Sequence, residues 1–330
     1  MAGLPSRQVV NAVGGRVQAR NVAPGHTLWA LDGGRTVHTA VVRATAVKAR
    51  DVVDVVTDRL TITVAPDQLL HSAQGGWIRA GDAMGAALMW TPARKLCRTR
   101  LTIRPGYELG YWVGATCADG TVGSNYVSLV VNDEGFASRY ASSLSVTTGL
   151  PARLEPVTRP SGFLRRDVPG FRVRVVSSYL ADLMRQYVGG DAHHLRQGFP
   201  RVVLRDLDTF NGFLDGYADG DGYRLKRWQA RTVASANVPF LAELAVIIGA
   251  RFTPVPQGKV SQLLITDQWE RRGTFVPERH PIHLVESGIA AVRAVLPRTA
   301  NGAKPFTIYS FGLEPHPCFL VNGHSVRAAE

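Results

Sequence analysis

The sequence predicts an α+β chain: a duplicated unit of helices and strands set into an all-β domain that it splits in two. Three observations carry the prediction. Residues 1–98 form short runs rich in Val and Thr, broken by Gly and Asp, with little helical periodicity. Residues 99–275 carry the order helix, strands, helix twice. Residues 276–330 return to β character. A chain of 330 residues holds two or three domains of about 100–200 residues each.

In the N-terminal part, HTLWALDGG (26–34), TVHTAVVRATAV (36–47) and DVVDVVTDRLTITVA (51–65) read as strands. Residues 91–107 hold Arg94, Lys95, Arg98, Arg100 and Arg104 and no acidic residue. This stretch reads as a connector, either a solvated run of charge or an arm touching phosphates. Next come a helix, ELGYWVGATCADG (108–120), strands NYVSLVV (125–131) and FRVRVVSS (171–178), and a helix, SYLADLMRQYVGG (178–190). The order then repeats: helix FNGFLDGYADGDG (210–222), strands YRLKRWQARTVAS (223–235), helix NVPFLAELAVIIGARF (237–252), strand SQLLITDQW (261–269). AAVRAVLP (290–297), FTIYSFGL (306–313) and CFLVNGHSV (318–326) close the chain as strands.

Lys and Arg number 38 against 26 Asp and Glu, a net charge of +12 with pI near 10.1, which favours a polyanionic partner. The cysteines, Cys97, Cys117 and Cys318, form no CxxC pair. That excludes a zinc finger and a disulfide scaffold and fits a reducing cytosol. The first residues lack the apolar core of a secretory signal. The longest apolar stretch, Val238 to Phe252, contains Glu243 and Arg251 and is too short to span a bilayer.

Two segments carry the chemistry. Trp112–Gly120 reads W-V-G-A-T-C-A-D-G and Leu214–Gly222 reads L-D-G-Y-A-D-G-D-G. As helix ends, Gly114 and Ala118 share one face, and so do Gly216 and Gly220; small residues there let two helix backbones approach. Gly120 and Gly222 are expected to stop the helices in left-handed geometry. Asp119 and Asp221 then sit at negative helix ends, where two carboxylates repel unless a cation neutralises them. Mg²⁺ (or Mn²⁺) is the hard, oxygen-seeking candidate, able to polarise a phosphodiester and activate water. Asp215 and Asp219 read as supporting residues, since their spacing does not match a calcium loop.

These two segments resemble the motif of the LAGLIDADG homing endonucleases, the second closely and the first more loosely. The resemblance implies that Asp119 and Asp221 are the metal-binding catalytic pair. It implies a pseudo-twofold αββαββα repeat, a saddle of strands gripping a long asymmetric site in double-stranded DNA, and a chain acting as a monomer. It also implies a supporting lysine near the metals, for which Lys226 and Lys259 are the candidates; Arg196 stands where the first half would carry one. On the strands, Arg172 and Arg174 share a face, as do Arg224 and Lys226. With Arg227, Arg98 and Arg100 they form the expected DNA contacts, weighed evenly against a solvated sheet face.

The flanking segments resemble an intein, the self-splicing module of the Hint fold: GGRVQARNVAPGHTLWALDGG (14–34), LTITVAPDQLLHSAQGGWIRAGD (60–82) and FTIYSFGLEPHPCFLVNGHSVRA (306–328). The reactive residues of that family are not there. Ala2 or Gly3 stands where an intein has its first nucleophile. The Thr-x-x-His block reads Ala65-Pro66-Asp67-Gln68, and Gln cannot titrate as His does. Ser310 replaces an aspartate, and Arg327-Ala328 replaces the terminal His-Asn, so no side-chain amide can cyclise. Cys318 reads as structural. Three functions follow: a metal-dependent DNA endonuclease unable to splice, an intein retaining splicing or partial cleavage, or a non-cutting DNA-binding protein on the same fold.

Overall fold

In the computed structural model the described residues are 2–91, 101–123, 125–161, 166–225, 230–255, 260–266, 268–272, 275–285, 288–300 and 304–329. The chain is mixed α+β and divides into two compact units: Met1–Thr99 with Leu284–Glu330, and Arg100–His283. Among the described residues no helix is long and apolar enough to cross a membrane.

Among its described residues the first unit is all β apart from two short 3₁₀ turns. Its larger sheet runs Leu4–Pro5, Phe306–Glu314, Arg35–Ala49, Thr27–Asp32, Val9–Ala12, Cys318–Val321, His324–Arg327, Leu69–His71, Trp77–Arg79, with Gly15–Gln18 paired to Val9–Ala12. A four-stranded sheet runs Ala87–Met89, Ile289–Thr299, Asp51–Thr57, Thr61–Val64. Strands from the two ends of the chain therefore alternate, and every pairing is antiparallel. Leu4, Val10, Leu28, Val55, Ile62, Leu70, Phe311 and Phe319 fill one core drawn from both ends of the sequence.

The second unit holds helices α1 (Tyr107–Asp119), α2 (Glu134–Thr148), α3 (Ser178–Tyr187), α4 (Leu207–Asp221), α5 (Val238–Ile247) and α6 (Trp269–Arg272). Its first half places strands Gly120–Val122, Tyr126–Val131, Arg166–Val176 and Arg153–Ser161 side by side in that order. Its second half pairs Gly222–Leu225, Ala230–Ser235 and Ser261–Thr266. Most helices start where a short polar side chain satisfies a free backbone N–H. Asp133 accepts from Phe136 N, Ser177 from Leu180 N, Asp206 from Thr209 N and Asn237 from Phe240 N. α1 has no such cap of its own: it follows Gly106, and Asp208 of α4 accepts from Tyr107 N at 2.8 Å.

Two differences from the sequence reading stand out. α2 was not foreseen, because EGFASRYASSLSVTT is rich in Ser and Thr and weakly amphipathic; its signals were the Asp133 cap and Gly149, left-handed at φ 71°. Residues 276–283, read with the β domain, bond to the helix–sheet unit instead. Glu278 N donates to Leu204 O (2.9 Å), Tyr187 Oη to Ile282 O (2.6 Å) and Gln186 Nε2 to His283 O (3.0 Å).

Candidate active site

α1 and α4 touch backbone to backbone. A Cβ at Gly110 or Gly114 would overlap the carbonyl oxygen of Thr209 or Phe213. A Cβ at Gly212 or Gly216 would overlap that of Tyr107 or Tyr111. Each contact has a counterpart shifted by the same spacing that separates Asp119 from Asp221, as in a self-complementary twofold interface. Contact positions rise together along both helices, so the helices run parallel and end side by side. Gly114 and Gly216 were singled out in the sequence; Gly110 and Gly212, one turn earlier, extend the same face and were readable from their spacing.

Asp119 is the last residue of α1 and is exposed; Asp221 is the last of α4 and is half-buried. Burial first, and the negative charge of Asp119 second, push the Asp221 carboxyl up to about 7. Burial, then the charge of Asp221, raise the thiol of Cys117 and the phenol of Tyr217. Several groups at the two helix ends thus respond to one concentration of negative charge.

The helix ends are not capped as expected. Gly120 (φ −75°, ψ 159°) and Gly222 (φ −127°, ψ 174°) are extended, not left-handed. Glycine is needed there for space. A strand leaves each helix at once and folds back over its last turn, so a Cβ would lie 2.5 Å from Thr116 O at Gly120 and 2.6 Å from Ala218 O at Gly222.

The segment joining the halves is pinned beside the pair. Gln197 Nε2 donates to Cys117 O at 2.7 Å, and Asn237 Nδ2 donates to the carbonyls of Gln197 (2.8 Å) and His194 (3.2 Å). Burial, and then His193, lower the His194 imidazole, while the nearby Asp119 carboxylate opposes them. Gln197 and His194 were missed in the sequence because nothing in their spacing points to the helix ends. Arg196 pairs with Asp191 at 3.1 Å.

Among the described residues no group of three or more His, Cys, Asp or Glu side chains is placed to hold a metal. Two carboxylates are still a fitting donor set for Mg²⁺, which usually keeps several waters and takes one or two carboxylates. The mutual charge of the pair is what a divalent cation would offset.

On the first sheet, Val173 and Val175 are buried, while Arg172 and Arg174 lie half-buried on the opposite face. Arg172 Nη2 donates to Glu155 Oε2 at 2.6 Å, and the Arg174 guanidinium lies 4.1 Å from the Tyr126 ring centre. On the second sheet, register pairs Arg224 with Arg231, whose row includes buried Ile265 and whose own guanidinium turns to Asp215 on α4. The Arg224 side chain itself is not among those described. Lys226, Arg227, Lys259, Arg98 and Arg100 lie outside the described residues.

The β unit brings together the positions matched to splicing residues. Ser310 Oγ donates to Ala2 O (2.6 Å), Ala65 N to Gly3 O (2.9 Å) and Gln68 Nε2 to Arg327 O (2.8 Å). Ala328 N donates to Pro317 O (2.9 Å). Gly3 has φ +148°, and a Cβ on it would lie 2.5 Å from Ile308 Cγ2 and 2.7 Å from Ser310 Oγ, so a nucleophilic side chain has no room. Cys318 is buried, donates to Leu31 O (3.2 Å) and has its thiol pushed up chiefly by burial.

No protein-family model matches the chain, and no curated protein does. Several solved structures are similar to parts of it. Variants of the homing endonuclease I-DmoI match 53% of this chain and 97% of theirs, at 13% identity and TM-score 0.35. The DnaB intein from Synechocystis sp. PCC 6803 matches 29% of this chain and 72% of its own, at 14% identity and TM-score 0.26. A bacterial intein-like domain from Clostridium thermocellum matches 28% and 69%, at 14% identity and TM-score 0.26. Likeness at this level assigns no family, and the functional reading rests on the geometry of the site.

Proposed function

We propose that the unit Arg100–His283 is a metal-dependent endonuclease that hydrolyses phosphodiester bonds in double-stranded DNA, and that the β unit is a splicing-type scaffold that does not splice. One observation carries the reading: two carboxylates, Asp119 and Asp221, end two helices packed on glycine, and burial and then the charge of Asp119 disfavour ionisation of Asp221. Those two residues would hold Mg²⁺ or Mn²⁺, which when bound supplies charge neutralisation and a more acidic water. The chain's own work is placement. The glycine contact holds the helix ends together, and Gln197 holds the last turn of α1 through Cys117 O. Arg172 and Arg174 present guanidinium groups from a sheet face that can lie against phosphates or base edges. Arg224, Arg227, Arg98 and Arg100 complete the contacts, with Lys226 or Lys259 as the supporting lysine. The chain works as a monomer on a long asymmetric site, because one polypeptide carries both motif helices.

The test is a Mg²⁺-dependent cleavage screen on a library of duplex targets with the full chain and with Asp221→Asn. Cleavage by the wild type, lost by more than about a thousandfold in the variant while DNA binding persists, is expected. Cleavage that survives in the variant rules the assignment out.

A further inference from the structure

We infer that Tyr107 and Tyr111 of α1, Asp215 and Asp219 of α4, and Arg139 of α2 form a register lock that sets the relative depth of the two site carboxylates. Its consequence for metal binding rests on the endonuclease reading; the lock itself does not.

A helix interface made of glycine is smooth. It has no knobs seated in holes, so packing alone resists sliding weakly. Two side-chain bonds supply what the glycines lack. Tyr107 Oη donates to Asp215 Oδ2 at 2.5 Å, and Tyr111 Oη donates to Asp219 Oδ2 at 2.7 Å. The two rungs lie four residues apart on both helices, and the helices then end at Asp119 and Asp221. A slip of one residue moves one helix by about 1.5 Å and stretches and tilts both rungs at once, so the two bonds together favour one register. Arg139 joins the rungs: it donates to Tyr107 Oη at 2.5 Å and to Asp219 Oδ2 at 3.4 Å, and lies 4.3 Å from the Tyr111 ring centre. Arg231 donates to Asp215 and balances the second charge. Burial raises both phenols above their ordinary value, so they stay protonated donors.

The lock stands on one side of the helix pair. By the spacing of the glycine contacts, Val113 and Cys117 occupy the positions of Asp215 and Asp219, while Thr209 and Phe213 occupy those of Tyr107 and Tyr111. All four are buried, and Val113, Cys117 and Phe213 offer no such rungs. The lock is therefore a feature of this side, not a by-product of duplication. These are positioning residues, acting through the helix ends.

The experiment compares the full chain with Y107F/Y111F, which removes two oxygens and keeps both rings. Hydrogen exchange is read at residues 116–119 and 218–221, and Mn²⁺ binding is read by electron paramagnetic resonance without DNA. Expected are exchange at those last turns faster by about tenfold and Mn²⁺ affinity lower by about tenfold, with exchange at 173–175 unchanged. Leu144→Ala, in the core of α2, is the stability control and should leave Mn²⁺ affinity as it is. Unchanged exchange at the helix ends overturns the lock, whatever the metal result. An equal loss of Mn²⁺ affinity in Leu144→Ala also overturns it, as general softening. A wild type that binds no Mn²⁺ overturns the endonuclease reading instead, and exchange still decides the lock.

Discussion

The two units gather their clusters by opposite means. In the helix–sheet unit, two carboxylates far apart in sequence are brought together by helices that meet on glycine, and burial first, with the charge of Asp119 second, pushes Asp221 up to about 7. In the β unit, Gly3, Ala65, Gln68, Ser310 and Arg327 meet mainly through backbone carbonyls and neutral donors. One cluster concentrates like charge; the other satisfies hydrogen bonds between neutral groups. Placement and chemistry are thus separate properties. A fold can bring the right positions together while the atoms there make only structural bonds.

Breaking the glycine contact should have the largest effect. Gly216→Val would drive a side chain into the Tyr111 carbonyl, costing about 4 kcal/mol of stability, read as a lower midpoint in chemical denaturation. A variant as stable as the wild type would show that the helices are not held as described.

Asp221→Asn sharpens the comparison next. The folded carboxyl lies above its ordinary value of 3.8, at about 7. Between those values the unfolded chain has released its proton and the folded chain has not, so stability falls as pH rises through that window. Removing the charge should stabilise the protein by about 2 kcal/mol at pH 8, allowing for partial solvent contact, and by little at pH 4. Mg²⁺ should raise the melting temperature of the wild type and not of the variant. No difference between pH 4 and pH 8 would remove the charge coupling.

A smaller effect is expected on the sheet. Arg172→Ala with Arg174→Ala should weaken duplex binding by about 1–3 kcal/mol and flatten its salt dependence. Unchanged affinity and slope would take this face out of the interface. The smallest expected effect is none: the chain fused between two flanking domains should give no ligated or cleaved product on a gel. Any product would show that the β cluster reacts after all.

Much of this was legible before folding. Alternating Val and Thr marked the strands, two Asp-Gly endings marked the helix tails, and alternation placed Arg172 and Arg174 away from Val173 and Val175. Helix α2 was not legible, since a helix of Ser, Thr and Ala is held by its cap and its packing, not by an apolar stripe.

By itself the sequence determined the local grammar: where strands alternate, where Asp-Gly ends two helices, and which small residues could let backbones meet. Only the tertiary structure decided that Gly120 and Gly222 serve space instead of a left-handed turn, that Gln197 reaches Cys117, and that Tyr107 and Tyr111 bind Asp215 and Asp219. The reason is range. Propensity and periodicity act over a few residues, whereas the Gln197 and tyrosine contacts join groups 80 and 108 residues apart, and their geometry exists only after the backbone has closed.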